Sequence, residues 1–351
     1  MKVNIYGVGR SGTKAVQVYI AYLLARKFGE VWVNYEPFHW QDRKANSPNH
    51  RGRSIHKHTP LLLSDQMGVT DEFARFCEEL SQHDVVVTKF IRANGRINLI
   101  DQIMKPDLSL VIVRDLYEVL ASIAVADWSL VEGRGSYEWT RICEEARSHY
   151  PALEDMGCLR PTTDDKLLVH ATLWYVMNKH ALENARESFF IEYNDLQAID
   201  FILSHFDLCY SDVKISDPMF HGSHIHGCYI IEEINNRDNV KVQAADHLWS
   251  IMRGRFFTLA KKLVSSRSRR VIRTFFSSNA FHKVSGSLCR LKTQLEDSAG
   301  QTSPSFPRSR VAVMHNDLFD QLSSDVKVAL DSALKRQQAL LDRLTPANIE
   351  T

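Results

Sequence analysis

The sequence predicts an α/β protein with a central parallel β-sheet and helices on both faces of that sheet. Two observations support this fold class. Short apolar runs alternate with amphipathic stretches through residues 1–205, and a glycine-rich turn lies between the first run and the first stretch. Strands that alternate with helices form parallel sheets, whose ligands bind at the carboxyl ends of the strands. Residues that directly follow a strand are therefore the first candidates for a functional site.

The elements follow from this alternation in chain order. We expect strands at 3–6, 31–35, 85–88, 108–113 and 189–193, and helices at 13–28, 116–126, 165–186 and 195–205. Beyond residue 206 only 244–264 and 325–344 have clear helical periodicity. We therefore expect a ligand-binding core of residues 1–205 and a mainly helical extension of residues 206–351 that packs on the core.

Composition excludes several classes of protein. Lys plus Arg number 43 against 42 for Asp plus Glu, so the chain lacks the basic excess of a general nucleic-acid or membrane binder. Its six cysteines contain no CxxC pair, which argues against a disulfide framework or a structural zinc site. No run reaches the roughly 18 apolar residues of a membrane span, and Met1 leads directly into the first strand without a signal peptide. These features predict a cytoplasmic protein.

The segment Gly7–Lys14, with the sequence GVGRSGTK, has the properties of an anion-binding loop. Glycines allow a tight turn that exposes backbone N–H groups, and the N-terminus of the following helix adds partial positive charge. The alternative is a tight turn with a capping Ser or Thr. The loop of ATP and GTP enzymes places Lys directly after the last Gly, whereas Lys14 lies one position later and replaces the Ser or Thr that ligates magnesium. The residues expected to contact the anion are Arg10, Ser11, Gly12, Thr13 and Lys14.

The run Arg10–Thr13 resembles the 5′-phosphosulfate loop of sulfotransferases that use 3′-phosphoadenosine 5′-phosphosulfate (PAPS). That family also has a strand that ends in Arg-Asp, followed by a helical Ser eight residues after the Arg. Here Arg114 follows the strand 108–113, and Ser122 follows Arg114 by eight. The resemblance implies that this pair binds the 3′-phosphate of PAPS. Without the loop, Asp115 would equally suit a magnesium site and Ser122 a helical serine.

The same resemblance implies the fold and the chemistry. We expect a P-loop-like three-layer fold and transfer of the sulfuryl group of PAPS to an acceptor hydroxyl, with 3′,5′-ADP as product and no required metal. Tyr193, in a segment that resembles the family's Tyr-Glu-Asp-Leu, is a candidate for stacking on the adenine, with core packing as the alternative.

Residues after the second and third strands resemble the acceptor side of carbohydrate sulfotransferases. Glu36, in Tyr35-Glu36-Pro37, is the first candidate for the base that removes the acceptor proton, and His39 is the second. The alternative for Glu36 is an ion pair with the cations of the loop. Lys89 and Arg92 resemble the family's Lys-x-x-Arg pair and are expected near the acceptor or the leaving phosphate, unless they are simply solvated. The acceptor is thus expected to be a carbohydrate or glycoconjugate, and the C-terminal extension to cover it.

Two further clusters and two rival functions remain open. His221, His224 and His226 have spacing that suits zinc, although a loop of surface histidines is commoner. The basic run Arg267–Arg273 suits an anionic ligand or a solvated helix face. The rival functions are a P-loop nucleoside-triphosphate kinase or NTPase with magnesium on Asp115, and a non-catalytic nucleotide-binding scaffold.

Overall fold

The computed structural model describes residues 1–38, 63, 70–126, 135–163, 165–216, 220, 240–242 and 316–344. In these ranges six strands form one sheet in the order β5-β4-β1-β3-β2-β6, and every neighbouring pair is parallel. The strands are β1 (Lys2–Gly7), β2 (Val31–Tyr35), β3 (Val86–Phe90), β4 (Leu108–Val113), β5 (Phe189–Glu192) and β6 (Val240–Val242). The predicted α/β class and parallel sheet are confirmed.

Helices connect these strands. They are α1 (Thr13–Phe28), α2 (Asp71–Leu80), α3 (Ile97–Met104), α4 (Leu116–Ala126), α5 (Gly135–His149), α6 (Ala152–Asp155), α7 (Lys166–Asn184), α8 (Gln197–Ser204) and α9 (Asn316–Leu344). Short 3-10 helices follow β3 at Asn94–Arg96 and β5 at Tyr193–Asp195. Helices α2, α3, α5 and α6 and strand β6 were not predicted.

The sheet is buried on both faces, which explains the nearly unbroken apolar sequence of its central strands. Side chains alternate along each strand, so that Tyr6 and Val111 point to one face and Ile5 and Leu110 to the other. The first face is covered by α2, α3, α4, α5, α7 and α9, and the second by α1 and α8. The protein therefore has a helical layer on each side of the sheet.

The topology places the glycine-rich loop at a switch point. β1 lies between β3 and β4. The connection through α1 leads from β1 to β2 on one side, and the connection through α3 leads from β3 across to β4 on the other. In open parallel sheets this reversal opens a crevice at the carboxyl ends of the strands, where ligands bind. The loop that follows β1 lies at this position.

The C-terminal part contributes to both layers and to the sheet. β6 pairs with β2 at one edge, and α9 packs on α7 and β5 at the opposite edge. The predicted helix at 325–344 is part of α9, which begins earlier, at Asn316. The predicted helix at 244–264 lies outside the described residues. No helix in the described part of the chain is long and apolar enough to cross a membrane.

Candidate functional site

The loop after β1 is a tight turn with two residues in the left-handed region. The N–H of Ser11 donates to the carbonyl of Val8 at 3.0 Å, and φ is 75° at Arg10 and 84° at Gly12. A Cβ on Gly12 would lie 2.0 Å from Cε2 of Tyr193, so only glycine fits there. Helix α1 begins at Thr13, the next residue, so its unpaired N–H groups face this turn. The loop thus has the backbone geometry and helix dipole of an anion site.

Ser11 adds an unsatisfied hydroxyl to the loop. Its side chain is fully buried, and its Oγ has no hydrogen-bond partner among the residues that the structure describes. Buried polar atoms are nearly always hydrogen-bonded in folded proteins. A ligand oxygen at the loop would supply the missing partner.

The structure brings the predicted second anion element directly against the loop. Arg10 Nε donates to Ser122 Oγ at 2.7 Å, and an Nη atom of Arg114 donates to the carbonyl of Arg10 at 3.2 Å. Three residues, one from the loop after β1, one directly after β4 and one from α4, therefore form one hydrogen-bonded cluster. Two guanidinium groups at one sheet edge suit a ligand with more than one phosphate.

Arg114 is fixed by its surroundings. Its Nε donates to Glu118 Oε2 at 2.8 Å, and its Cζ lies 4.5 Å from the ring centroid of Tyr193. The indole N–H of Trp174 donates to the carbonyl of Arg114 at 2.9 Å. Sequence reasoning missed Glu118, although its spacing of four residues from Arg114 at the start of a helix is a usable signal.

The two acceptor-side candidates Glu36 and Lys89 form one ion pair. Lys89 Nζ contacts Glu36 Oε1, and the same ammonium lies 3.8 Å from the ring centroid of Tyr35. Both side chains are buried, Lys89 to 1% exposure and Glu36 to 8%. A cation of β3 is thus one partner of Glu36, which the sequence alternative of an ion pair with the loop cations did not include.

Burial lowers the pKa of Lys89 to about 8, and the Glu36 carboxylate partly opposes this fall. The positive charges of Lys14 and Arg10 lower the pKa of Lys89 further. These influences place the loop cations and the Glu36–Lys89 pair in one electrostatic environment. Glu36 also has a left-handed φ of 48°, a second strained residue at this edge of the sheet.

Of the remaining candidates, the structure describes Arg92 alone. Arg92 lies two residues beyond the end of β3 and is partly exposed. His39, the histidine cluster at 221–226 and the basic run at 267–273 lie outside the described residues. Within the described ranges no group of three or more His, Cys, Asp or Glu side chains has an arrangement that could hold a metal ion.

The segment after β3 contains a buried arginine, and sequence reasoning did not single it out. Arg96 is 1% exposed, and its Cζ lies 5.0 Å from the ring centroid of Phe73 and 6.0 Å from that of Phe38. Burial lowers its pKa to about 10. Its short 3-10 helix packs against α7. Sequence gave no signal for this burial, because an Arg in a polar Asn-Gly-Arg turn is usually exposed.

No protein-family model, no curated protein and no solved structure matches the chain. The candidate site must therefore be interpreted from its own geometry. That geometry joins a strained loop at a helix N-terminus, two guanidinium groups, an unsatisfied hydroxyl and a buried carboxylate–ammonium pair at the carboxyl edge of a parallel sheet.

Proposed function

We propose that the protein is a PAPS-dependent sulfotransferase with a P-loop-like fold, which transfers the sulfuryl group of PAPS to a hydroxyl of a carbohydrate or glycoconjugate. The observation that carries the proposal is the contact of Arg10 with Ser122 and of Arg114 with the Arg10 carbonyl. These contacts join a loop suited to a 5′-phosphosulfate with an Arg–Ser pair suited to a 3′-phosphate. A ligand that carries both groups on one nucleotide would use both elements.

The proposed reaction is an in-line displacement at sulfur. The acceptor oxygen forms a bond to sulfur while the bond from sulfur to the bridging phosphate oxygen breaks, and 3′,5′-ADP leaves with the electron pair of that bond. Arg10, Lys14 and the loop N–H groups stabilise the charge that develops on the leaving oxygen. Arg114 and Ser122 hold the 3′-phosphate, and Tyr193 lies beside the loop.

The carboxylate of Glu36, which is ion-paired with Lys89, takes the proton of the acceptor hydroxyl. A carboxylate that is ion-paired with a buried ammonium is a weaker base than a carboxylate alone, since the cation stabilises its charged form. The same ammonium balances negative charge while the proton moves. Arg92 follows β3 and Glu36 follows β2, and these two strands lie on the same side of β1 in the sheet. We assign the acceptor to this side of the loop.

Ligand-induced thermal stabilisation tests the nucleotide preference. We expect 3′,5′-ADP without magnesium to raise Tm, and ATP with magnesium to have little effect, because a ligand stabilises the state that binds it. The matched control is Arg26→Ala, at the opposite end of α1, where Arg26 pairs with Asp212 at 3.0 Å. This control should respond as the wild type does, whereas Arg114→Ala should lose the response.

Two results would overturn the proposal. Stabilisation by ATP only with magnesium would favour the kinase or NTPase. The structure gives Asp115 another role, since its Oδ1 accepts from the N–H of Glu118 at 3.1 Å and caps α4. Stabilisation by neither nucleotide would favour the non-catalytic scaffold.

The acceptor class is tested separately with labelled PAPS. We expect label transfer to sugars or glycoconjugates in a panel that also contains lipid, peptide and small phenolic hydroxyls. Transfer to a phenol alone would contradict the carbohydrate assignment and leave the sulfotransferase proposal standing.

A further inference from the structure

The guanidinium group of Arg114 is held on three sides. Glu118 accepts from Nε at 2.8 Å, and the Arg10 carbonyl accepts from an Nη atom at 3.2 Å. The ring of Tyr193 lies against the guanidinium plane, 4.5 Å from Cζ to centroid. A free arginine side chain has many rotamers, so three contacts of this kind fix one of them before any ligand arrives.

Tyr193 is itself fixed against the loop. Its ring edge lies so close to Gly12 that a Cβ there would approach Cε2 to 2.0 Å. The ring therefore fills the space between the phosphate loop and Arg114. The sequence suggested that this ring stacks on adenine, and that role stays a prediction beside the contacts with Gly12 and Arg114.

Glu118 places a negative charge beside a candidate phosphate site. Its side chain is 32% exposed and that of Arg114 is 23% exposed, so the pair is only partly shielded from water. The carboxylate of Glu118 repels an anionic ligand, so Glu118 does not serve to attract the phosphate. Its hydrogen bond to Nε, which directs the remaining N–H groups of Arg114 toward the loop, explains its presence.

We propose that Glu118 and Tyr193 are positioning residues that hold Arg114 in the conformation that distinguishes a 3′-phosphate from a 3′-hydroxyl. This inference rests on the proposed function, because it assigns the 3′-phosphate to Arg114. Preorganisation of this kind raises affinity by lowering the ordering cost of binding. Its effect is largest for ligands that contact Arg114 directly, so it changes the selectivity for a 3′-phosphate more than the general affinity for nucleotides.

The test is the ratio of the dissociation constants of 5′-AMP and 3′,5′-ADP, measured by calorimetry. In Glu118→Ala the guanidinium is released, and we expect this ratio to fall about tenfold, with a smaller change in the affinity for 5′-AMP. Glu118→Gln keeps an oxygen that accepts from Nε, so its ratio should stay within about threefold of the wild type. An Ala variant with the wild-type ratio would show that Glu118 has no positioning role.

Tyr193 is tested by a second pair of variants. Tyr193→Phe keeps the ring and should keep the ratio, whereas Tyr193→Leu should lower it. If the ring stacks on adenine instead, Tyr193→Leu weakens both ligands equally and leaves the ratio unchanged, which overturns its positioning role. Circular dichroism and thermal unfolding check separately that each variant is folded.

Failure of the proposed function gives a different result. A wild-type protein that binds 5′-AMP as tightly as 3′,5′-ADP has no 3′-phosphate site, and both the function and this inference would then be rejected. A wild-type preference for 3′,5′-ADP that survives in Glu118→Ala and Tyr193→Leu would reject the inference alone.

Discussion

At the scale of single residues, two of the four described non-glycine residues with positive φ lie at the candidate site. Arg10 and Glu36 have φ values of 75° and 48°, which cost a residue with a Cβ on the order of 1 kcal/mol or more. Both lie at the carboxyl ends of strands, one after β1 and one after β2. Such conformations persist where the surrounding structure holds them, and they occur often at functional sites. Each of these residues carries a prediction.

Arg10→Ala should abolish most of the turnover without unfolding the protein. The guanidinium lies at the phosphate loop, where the proposed reaction develops negative charge, and Ala retains a Cβ in the same backbone conformation. Steady-state kinetics with PAPS and a working acceptor measure the loss, and circular dichroism checks the fold. A folded variant with wild-type kcat would remove the loop from the mechanism.

Glu36→Gln should lower kcat by about 10²–10⁴-fold, the usual contribution of a general base, with PAPS affinity little changed. Gln keeps the shape of the side chain and removes its basicity. His39→Ala should lose less. Single-turnover sulfuryl transfer compares the two variants. If Glu36→Gln reacts at nearly the wild-type rate while His39→Ala is inactive, the base is His39 and Glu36 only pairs with Lys89.

At the scale of secondary-structure elements, α7 is joined to α5 by a contact between two histidine rings, and α9 is joined to β5 by a hydrogen bond. His180 of α7 lies edge to face with His149 in the last turn of α5, at 5.4 Å between ring centroids. Burial, with a smaller contribution from the charge of His149, lowers the pKa of His180 to about 4. At the sheet edge, Gln337 of α9 accepts from the N–H of Phe190 in β5 at 2.6 Å.

His180 should make the protein sensitive to acid. Its pKa falls from an ordinary value of 6.5 to about 4 in the folded state, so the unfolded state binds more protons between these values. The free energy of unfolding therefore decreases as the pH falls from about 6.5 toward 4. We expect the wild type to lose more Tm than His180→Gln between pH 7.5 and pH 5. Parallel losses in the two proteins would assign the acid sensitivity to other groups.

Gln337→Ala should destabilise the protein by about 1–3 kcal/mol, because it leaves a buried backbone N–H of an edge strand without its acceptor. The neighbouring Gln338 is exposed and bonds only to Asp342 on its own helix, at 3.0 Å. Gln338→Ala is therefore the matched control and should change the free energy of unfolding by less than about 0.5 kcal/mol. Urea denaturation measures both. If the two substitutions change the free energy of unfolding equally, the contact of Gln337 with β5 does not stabilise the protein.

At the scale of the whole molecule, the C-terminal helix α9 packs into the core that the first 205 residues form. α9 buries Phe319, Leu322 and Val326 in the same core as the helices α2–α7. It is also joined to them by hydrogen bonds, from Tyr117 to Asp320 and from Tyr175 to Asp325. Tyr117 lies in the first turn of α4, the helix that follows Arg114 and carries Ser122, so α9 is anchored to an element of the candidate site.

A chain that ends at residue 315 should therefore fail to fold cooperatively. Loss of α9 exposes the apolar face of α7 and the edge of β5, and each large buried side chain that loses its partners costs on the order of 2–5 kcal/mol. A chain that ends at Leu344 keeps all of α9 and is the control. Thermal unfolding and gel filtration distinguish them. A soluble, cooperatively folding 1–315 chain would show that the core of residues 1–205 is stable without α9.

The sequence by itself determined the class of the fold and the order of its central elements. Strands β1, β2, β4 and β5 are short, buried and rich in apolar residues, a pattern that depends only on local sequence. The same pattern placed Arg10 and Arg114 after the carboxyl ends of parallel strands, which meet at one edge of the sheet. It placed Ser122 in the helix that follows Arg114. Helices α2, α3 and α5 escaped prediction, since periodicity over short or strongly polar stretches gives a weak signal.

Tertiary structure alone decided which of these groups touch. Sequence left Glu36 free to act as a base or to pair with a cation of the loop, and did not indicate that the register of β2 against β3 would bring Lys89 to it. It gave no indication that the ring of Tyr193 would lie against Gly12 and Arg114. It gave no indication that Gln337 would cover the edge of β5, 147 residues earlier in the chain. The physical reason is that strand patterns follow from neighbouring residues, whereas ion pairs and ring contacts depend on distances between elements far apart in sequence.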